Sequence, residues 1–171
     1  MQTGGTGTVG GATTVGNNGT IRGGDVTGVG TLTLAGSLTI GSGGTLSTKI
    51  ASTSATANLL AATGAFTFDT NGRVLIDGSN VTFDPATSYS FTIATSGTST
   101  AGLNVTNQSA FSFANFANPS AFTFSLTGST GGAVSLNFTP VPEPGLLLAV
   151  SVAGLGLAGW FRRRRNPAQS G

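Results

Sequence analysis

Along the first half of this chain, apolar and hydroxylic residues alternate with a period of two. Thr31-Leu-Thr-Leu34, Ser37-Leu-Thr-Ile40 and Thr45-Leu-Ser-Thr-Lys-Ile50 follow the pattern, separated by Ala35-Gly36 and Gly41-Ser-Gly-Gly44. Successive strand residues point to opposite sides. The pattern therefore predicts Leu32, Leu34, Leu38, Ile40, Leu46 and Ile50 on one buried face, with Thr or Ser on the other. Segments this short cannot bury a core singly. Stacked coils of a β-solenoid, or a sandwich, solve that problem.

From Ala65 the pairs become aromatic. Phe66/Phe68, Val74/Ile76, Val81/Phe83 and Tyr89/Phe91/Ile93 alternate around Asp69-Thr-Asn-Gly72, Asp77-Gly-Ser-Asn80 and Asp84-Pro-Ala-Thr87. Asn-Gly, Asp-Gly and Asp-Pro are turn formers, so this stretch predicts hairpins. Leu103/Val105, Phe111/Phe113, Phe122/Phe124/Leu126 and Val134/Leu136/Phe138 continue the alternation, and ten of the eleven phenylalanines fall between 66 and 138. The larger core is expected there. Ala51–Ala62 is the stretch of the body that reads as a short helix.

The pattern changes once more after residue 140. Val141-Pro142-Glu143-Pro144 leads into Gly145 to Phe161, 17 residues without a charge, and then into Arg162, Arg163, Arg164 and Arg165. As a helix this run spans roughly 25 Å at about 1.5 Å per residue, slightly short of a hydrocarbon core of about 30 Å. Trp160 suits the interface, and arginines can snorkel to close the gap. Each arginine costs about 2.5–3.5 kcal/mol at the bilayer centre, so the block resists translocation and belongs in the cytoplasm, with the body outside. Pro142 and Pro144 hold the approach extended, because a residue before proline avoids the helical region.

The expected fold class is thus all-β. Short stacked strands form a β-solenoid end, antiparallel β caps it, and a single C-terminal transmembrane helix follows. The divisions are a Gly/Thr-rich repeat region (1–62), an antiparallel region (63–140), a sorting segment (141–165) and a tail (166–171).

Composition narrows the function. Only 7% of residues are charged, with 28 glycines, where a soluble domain averages about 25% charged. The high isoelectric point comes from the arginine block. Before residue 142, Arg22, Lys49 and Arg73 face Asp25, Asp69, Asp77 and Asp84, which leaves the body near neutral. A body without a basic stripe argues against nucleic acid as a partner. There is no cysteine and no histidine, which removes disulfides, thiolate metal sites and the commonest general base.

The tail closely resembles the PEP-CTERM sorting signal: Pro142-Glu143-Pro144, one hydrophobic span and a terminal arginine cluster. The resemblance covers 141–165, and the same tail is also described as the C-terminal domain of certain ice-binding proteins. It implies an exported bacterial protein whose precursor sits in the inner membrane. It further implies cleavage near the motif by an exosortase, release to the cell surface or extracellular matrix, and association with exopolysaccharide. Val141 to Pro144 would be the processing motif and Arg162 to Arg165 the membrane stop. Residues 15–60, most clearly Gly30 to Leu46, resemble the autotransporter-associated β-strand repeat, which implies a parallel β-helix. Export calls for a leader, and Met1–Gly10 has neither a basic nor an apolar region. The expectation is that the chain is part of a longer protein.

The remaining candidates have plain structural readings. Gly5-Thr-Gly-Thr-Val-Gly10 matches a dinucleotide fingerprint but lacks the strand–turn–helix setting that gives it meaning. Asp69, Asp77 and Asp84 stand in turns, and Asp25 follows Gly23-Gly24, so all four are expected to bond their own backbone. No calcium-loop spacing occurs. Asn18, Asn80, Asn104, Asn107 and Asn137 begin N-x-S/T triplets, which a Thr/Ser-rich chain generates by chance. Thr31, Thr33, Thr39 and Thr45 are expected in file on a flat face that binds ice or polysaccharide, or that is simply solvated. No cofactor or metal is expected. The leading expectation is a non-enzymatic surface protein, the alternative a carbohydrate- or ice-binding solenoid, and the remote one a polysaccharide-active enzyme.

Overall fold

A computed structural model describes residues 2–142 apart from Val26 and Ala55. Residues 1–140 form one compact unit, and it is all-β. The first coil runs through β1 (Gln2–Thr3), β2 (Gly7–Val9) and β3 (Thr13–Val15). The second uses β4 (Thr20–Ile21), β5 (Thr31–Leu34) and β6 (Leu38–Ile40). The third uses β7 (Thr45–Lys49), β8 (Leu59–Ala62) and β9 (Phe66–Phe68). The fourth begins with β10 (Arg73–Asp77) and β11 (Tyr89–Thr95). After it come β12 (Asn104–Val105), β13 (Phe111–Ala114), β14 (Phe122–Gly128) and β15 (Ala133–Pro140).

Equivalent strands of successive coils pair in parallel and build three walls. Their orders are β1-β4-β7-β10-β13, β2-β5-β8-β11 and β3-β6-β9. Partners lie 18, 25, 28 and 37 residues apart at Gln2↔Thr20, Thr20↔Thr45, Thr45↔Arg73 and Val74↔Phe111. The all-β expectation is met, and its strands form parallel-strand sheets.

Leu32, Leu34, Leu38, Ile40, Leu46 and Ile50 are each no more than 5% exposed. They do not share one face, however. Leu32 and Leu34 lie on one wall, Leu38 and Ile40 on the second and Leu46 on the third. The glycine segments between them turn corners, so the apolar set lines the inside of a tube. Three tight turns stack at one corner, where the N–H groups of Gly19, Gly44 and Gly72 donate to the carbonyls of Gly16, Gly41 and Asp69. At another corner Gly64 N–H donates to Gly36 and Gly97 N–H to Gly64, each at 3.0 Å.

Inward positions form columns that begin with threonine or valine at the first coil and end with phenylalanine. Thr3, Ile21, Leu46, Val74 and Phe111 are in register on one wall. Thr13, Leu38 and Phe66, and Val15, Ile40 and Phe68, are in register on another. The columns are thus small at the first coil and reach phenylalanine at β9 of the third coil and at β13.

The hairpin reading of residues 66–93 is corrected. β9 and β10 lie on different walls and pair in parallel with β6 and β7. The turn 69–72 is therefore a coil corner, and parallel stacking continues to β13. The turn residues were legible, but a turn former does not say whether the chain folds back or rotates onward. Val81–Phe83 is not a strand. It is a loop that delivers Phe83, 5% exposed, into the core. Nor do the described residues of 51–62 form a helix: Leu59–Ala62 is β8, tied to β5 and β11.

Antiparallel capping is present, but only at the end. β11 pairs in parallel with β8 and antiparallel with β15, which in turn pairs with β14 and β14 with β12. A bulge between Thr92 and Ala94 in the β11–β15 pairing leaves both Ile93 and Ala94 buried. Beneath this cap the phenylalanines cluster. Phe83 stacks on Phe116 at 4.9 Å, Phe113 meets Phe124 at 4.6 Å, and Phe124 meets Phe138 at 5.0 Å. Such aromatic pairs add about 0.5–1.5 kcal/mol beyond burial alone.

Among the described residues no helix is long and apolar enough to cross a membrane. The expected span at 145–161, with Glu143, Pro144 and Arg162 to Arg165, lies outside them.

Candidate functional site

The four body aspartates all turn out to be turn residues. Asp25, Asp69, Asp77 and Asp84 each accept, through Oδ1, the backbone N–H two residues on, at 2.8–2.9 Å. Asp25 accepts also from the Thr27 hydroxyl at 2.9 Å and the Gly28 N–H at 2.5 Å. These donors, Gly28 first, hold its carboxyl below the ordinary carboxylate value. Asp77 also accepts from Asn115 Nδ2 at 3.1 Å. No group of three metal-ligating side chains occurs among the described residues.

The threonines are placed differently from expectation. Thr31 and Thr33 lie on β5, Thr39 on β6 and Thr45 on β7, on three separate walls. They do not stand in one file, because a corner separates each strand from the next. A different file exists: Thr14, Thr39 and Thr67 are in register across β3, β6 and β9 and point outward. The Gly5–Gly10 motif runs into β2 and then toward β3, so no helix follows it.

Missing from the sequence reading is a groove beside β9. The third wall stops there, although the other two continue to β13 and β11. After β11 the chain follows the corner only as far as Gly97, whose N–H still bonds Gly64. It then leaves to form β12, which joins β14. Thr100 anchors this departure. Its buried hydroxyl accepts from Ser129 N–H at 3.0 Å and lies 3.0 Å from the Ala133 carbonyl, to which it donates. The strand that would have covered β9 is absent, and a groove of about 520 Å³ remains between residues 68–70 and 102–107.

Its lining is mixed. Phe68 ends an inward column, so its half-buried ring has no further coil above it. Leu103 and Val105 are half-buried against the same core. Around them stand Asp69, Thr70, Asn104, Thr106 and Asn107. Asp69 uses Oδ1 for Asn71 N–H, and Asn107 uses Oδ1 for Ser109 N–H and hydroxyl. The sequence pointed to a turn at Asp69 and to an alternating strand pair at Leu103 and Val105. Nothing in the local pattern signalled that the wall would end between them.

Of the processing motif, Val141 and Pro142 are described and exposed, immediately after the last residue of β15. No family model, curated protein or solved structure matches this chain.

Proposed function

We propose that this chain is a non-enzymatic, exported bacterial surface or matrix protein, sorted through its C-terminal segment. The observation that carries the reading is the order of features in 141–165: Pro-Glu-Pro, an uncharged run, four arginines. In this reading the precursor is held in the inner membrane with the arginines cytoplasmic. An exosortase-type enzyme recognises Pro142, Glu143 and Pro144 and cuts nearby, and the β body is released to the surface. Two structural facts support it. The compact unit ends at Pro140, and Val141 is 43% exposed, so a protease meets accessible chain where the motif begins. The four aspartates are engaged in their own turns, which favours a scaffold over a catalyst.

The test is a Pro142→Ala/Glu143→Ala/Pro144→Ala variant in a host carrying the exosortase. Retention of the uncut precursor is expected, and normal processing overturns the assignment. For the body, hydrolysis of a polysaccharide panel that one Asp→Asn change abolishes would overturn the non-enzymatic reading.

A carbohydrate- or ice-binding role is the second reading, favoured by the outward file Thr14–Thr39–Thr67 at the strand spacing of about 4.8 Å. Thermal hysteresis, lost on Thr39→Tyr, would establish the ice-binding form.

A further inference from the structure

We propose that the groove beside β9 binds a neutral polysaccharide, with Phe68 as the platform for a sugar ring. The proposal takes up the carbohydrate part of the second reading but places it on residues apart from the threonine file. It does not depend on the sorting signal.

The argument starts from what the groove lacks and what it leaves unused. Among the described residues no cation lines it, so nothing among them attracts a phosphate, a sulfate or an acidic sugar, and Asp69 repels them. An apolar ligand is disfavoured by the hydroxyls and amides on the rim. The class that fits has apolar C–H faces and many hydroxyls without charge.

Hydrogen-bonding capacity is available for such a ligand. Asp69 Oδ2 has no donor among the described residues, since its one bond is to Oδ1. The Asn104 amide and the Thr70 and Thr106 hydroxyls have no side-chain partner among them either, and Asn107 keeps Nδ2 while Oδ1 serves its own turn. A carboxylate oxygen accepts from sugar hydroxyls, and amide N–H groups donate to them. Phe68 and the half-buried Leu103 and Val105 provide the apolar surface that orients a ring face-on. The volume of about 520 Å³ falls within the about 300–1,000 Å³ common for ligand sites.

The groove is also built on rigid elements. Gly72 brings the turn backbone against the Phe68 ring: a Cβ there would lie 2.8 Å from Cε1. The opposite bank is held by β12–β14 pairing and by Thr100. The platform and rim are therefore set before a ligand arrives, which lowers the cost of binding.

The experiment is amide and side-chain shift mapping on the full 171-residue chain in mild detergent. It is titrated with three neutral hexasaccharides: cellohexaose, maltohexaose and mannohexaose. Saturable shifts confined to 68–72 and 102–107 are expected for at least one. Asp69→Asn keeps the Oδ1 that its turn needs and alters only the other position, so the fold is preserved. It should weaken binding about tenfold, because a bond to a charged acceptor is lost. Phe68→Leu, which keeps the core filled, should abolish saturation. Shifts at Thr14, Thr39 and Thr67 in place of the groove would overturn this proposal while sparing the second reading. Absence of shifts with all three sugars at 10 mM overturns the proposal too. So does saturable occupation of the groove by an unstructured Thr/Val-rich hexapeptide and by none of the sugars, which would make it a strand-docking edge.

Discussion

The side-chain amide of Gln108 engages both backbone groups of Phe124, accepting from its N–H at 3.0 Å and donating to its carbonyl at 2.9 Å. One side chain thus takes the place of a neighbouring strand at this point of β14. Removing it leaves two main-chain groups without partners, and each such group costs about 1–3 kcal/mol when shielded from water. Gln108 itself is exposed, so water replaces part of this pairing, and Gln108→Ala is expected to lower stability by about 1–2 kcal/mol in urea titration. Gln108→Glu keeps the acceptor and loses the donor, and should fall between the two. Equal stability of all three would show the bond to be without weight.

The corner glycines should respond unequally to a single methyl group. A Cβ at Gly97 would lie 1.8 Å from the Thr63 carbonyl oxygen, whereas one at Gly10 would meet nothing within 4 Å. Gly97→Ala must push two coils apart and should cost about 1–3 kcal/mol or more. Gly10→Ala should stay within about 0.5 kcal/mol of the parent. Thermal unfolding reads the difference.

Phe83 contacts Tyr89, Phe91, Phe116 and Phe138 from a loop. Phe83→Ala empties the middle of the aromatic cluster and is expected to cost about 3–5 kcal/mol. The loss should appear also in the near-ultraviolet circular dichroism of Tyr89, whose ring lies 5.2 Å away. Val29→Ala, at a position 37% exposed, serves as the silent comparison.

Acid should reach the loop at Asp25 in a predictable direction. The folded carboxyl titrates below its ordinary value because Gly28, and then Thr27, donate to it. Its contribution to stability is complete above the unfolded value of about 3.9 and is lost as pH falls through the lower folded value. The stability difference between the parent and Asp25→Ala should therefore shrink on acidification and stay constant from about pH 5 to 7. A difference that widens toward low pH would contradict the assignment.

Much of this fold was legible from alternation alone. Leu34, Leu38, Ile40 and Ile50 are fully buried, as period two requires. Alternation reports which side of a strand is buried, but not which wall the strand occupies. That is why Thr31 and Thr45 were expected in one file and stand on different walls. Asp69 and Asp77 were legible as turn residues, and each makes the bond a turn predicts. The groove was not legible, because it results from a strand that is missing. Residues 98–103 depart from the wall through Thr100, and a buried threonine hydroxyl holding a distant hairpin leaves no periodic trace. The Gln108–Phe124 pairing escaped for the same reason: it joins residues 16 apart through a side chain acting as backbone.

The growth of the inward columns, from Thr3 and Thr13 to Phe111 and Phe66, sets an order of events under stress. In a stack where each coil touches only its neighbours, the joint with the least apolar contact separates first. That joint lies between the first and second coils, where Thr13 Oγ1 is buried without a partner. Amide protons of β2 and β3 should exchange with solvent sooner than those of β7 and β10, and heat or force should open this joint before it opens the phenylalanine cluster. The described body thus has a soft joint and a hard one. The phenylalanine cluster is the part that adjoins Val141, so a cut made there leaves the best-packed part of the body intact.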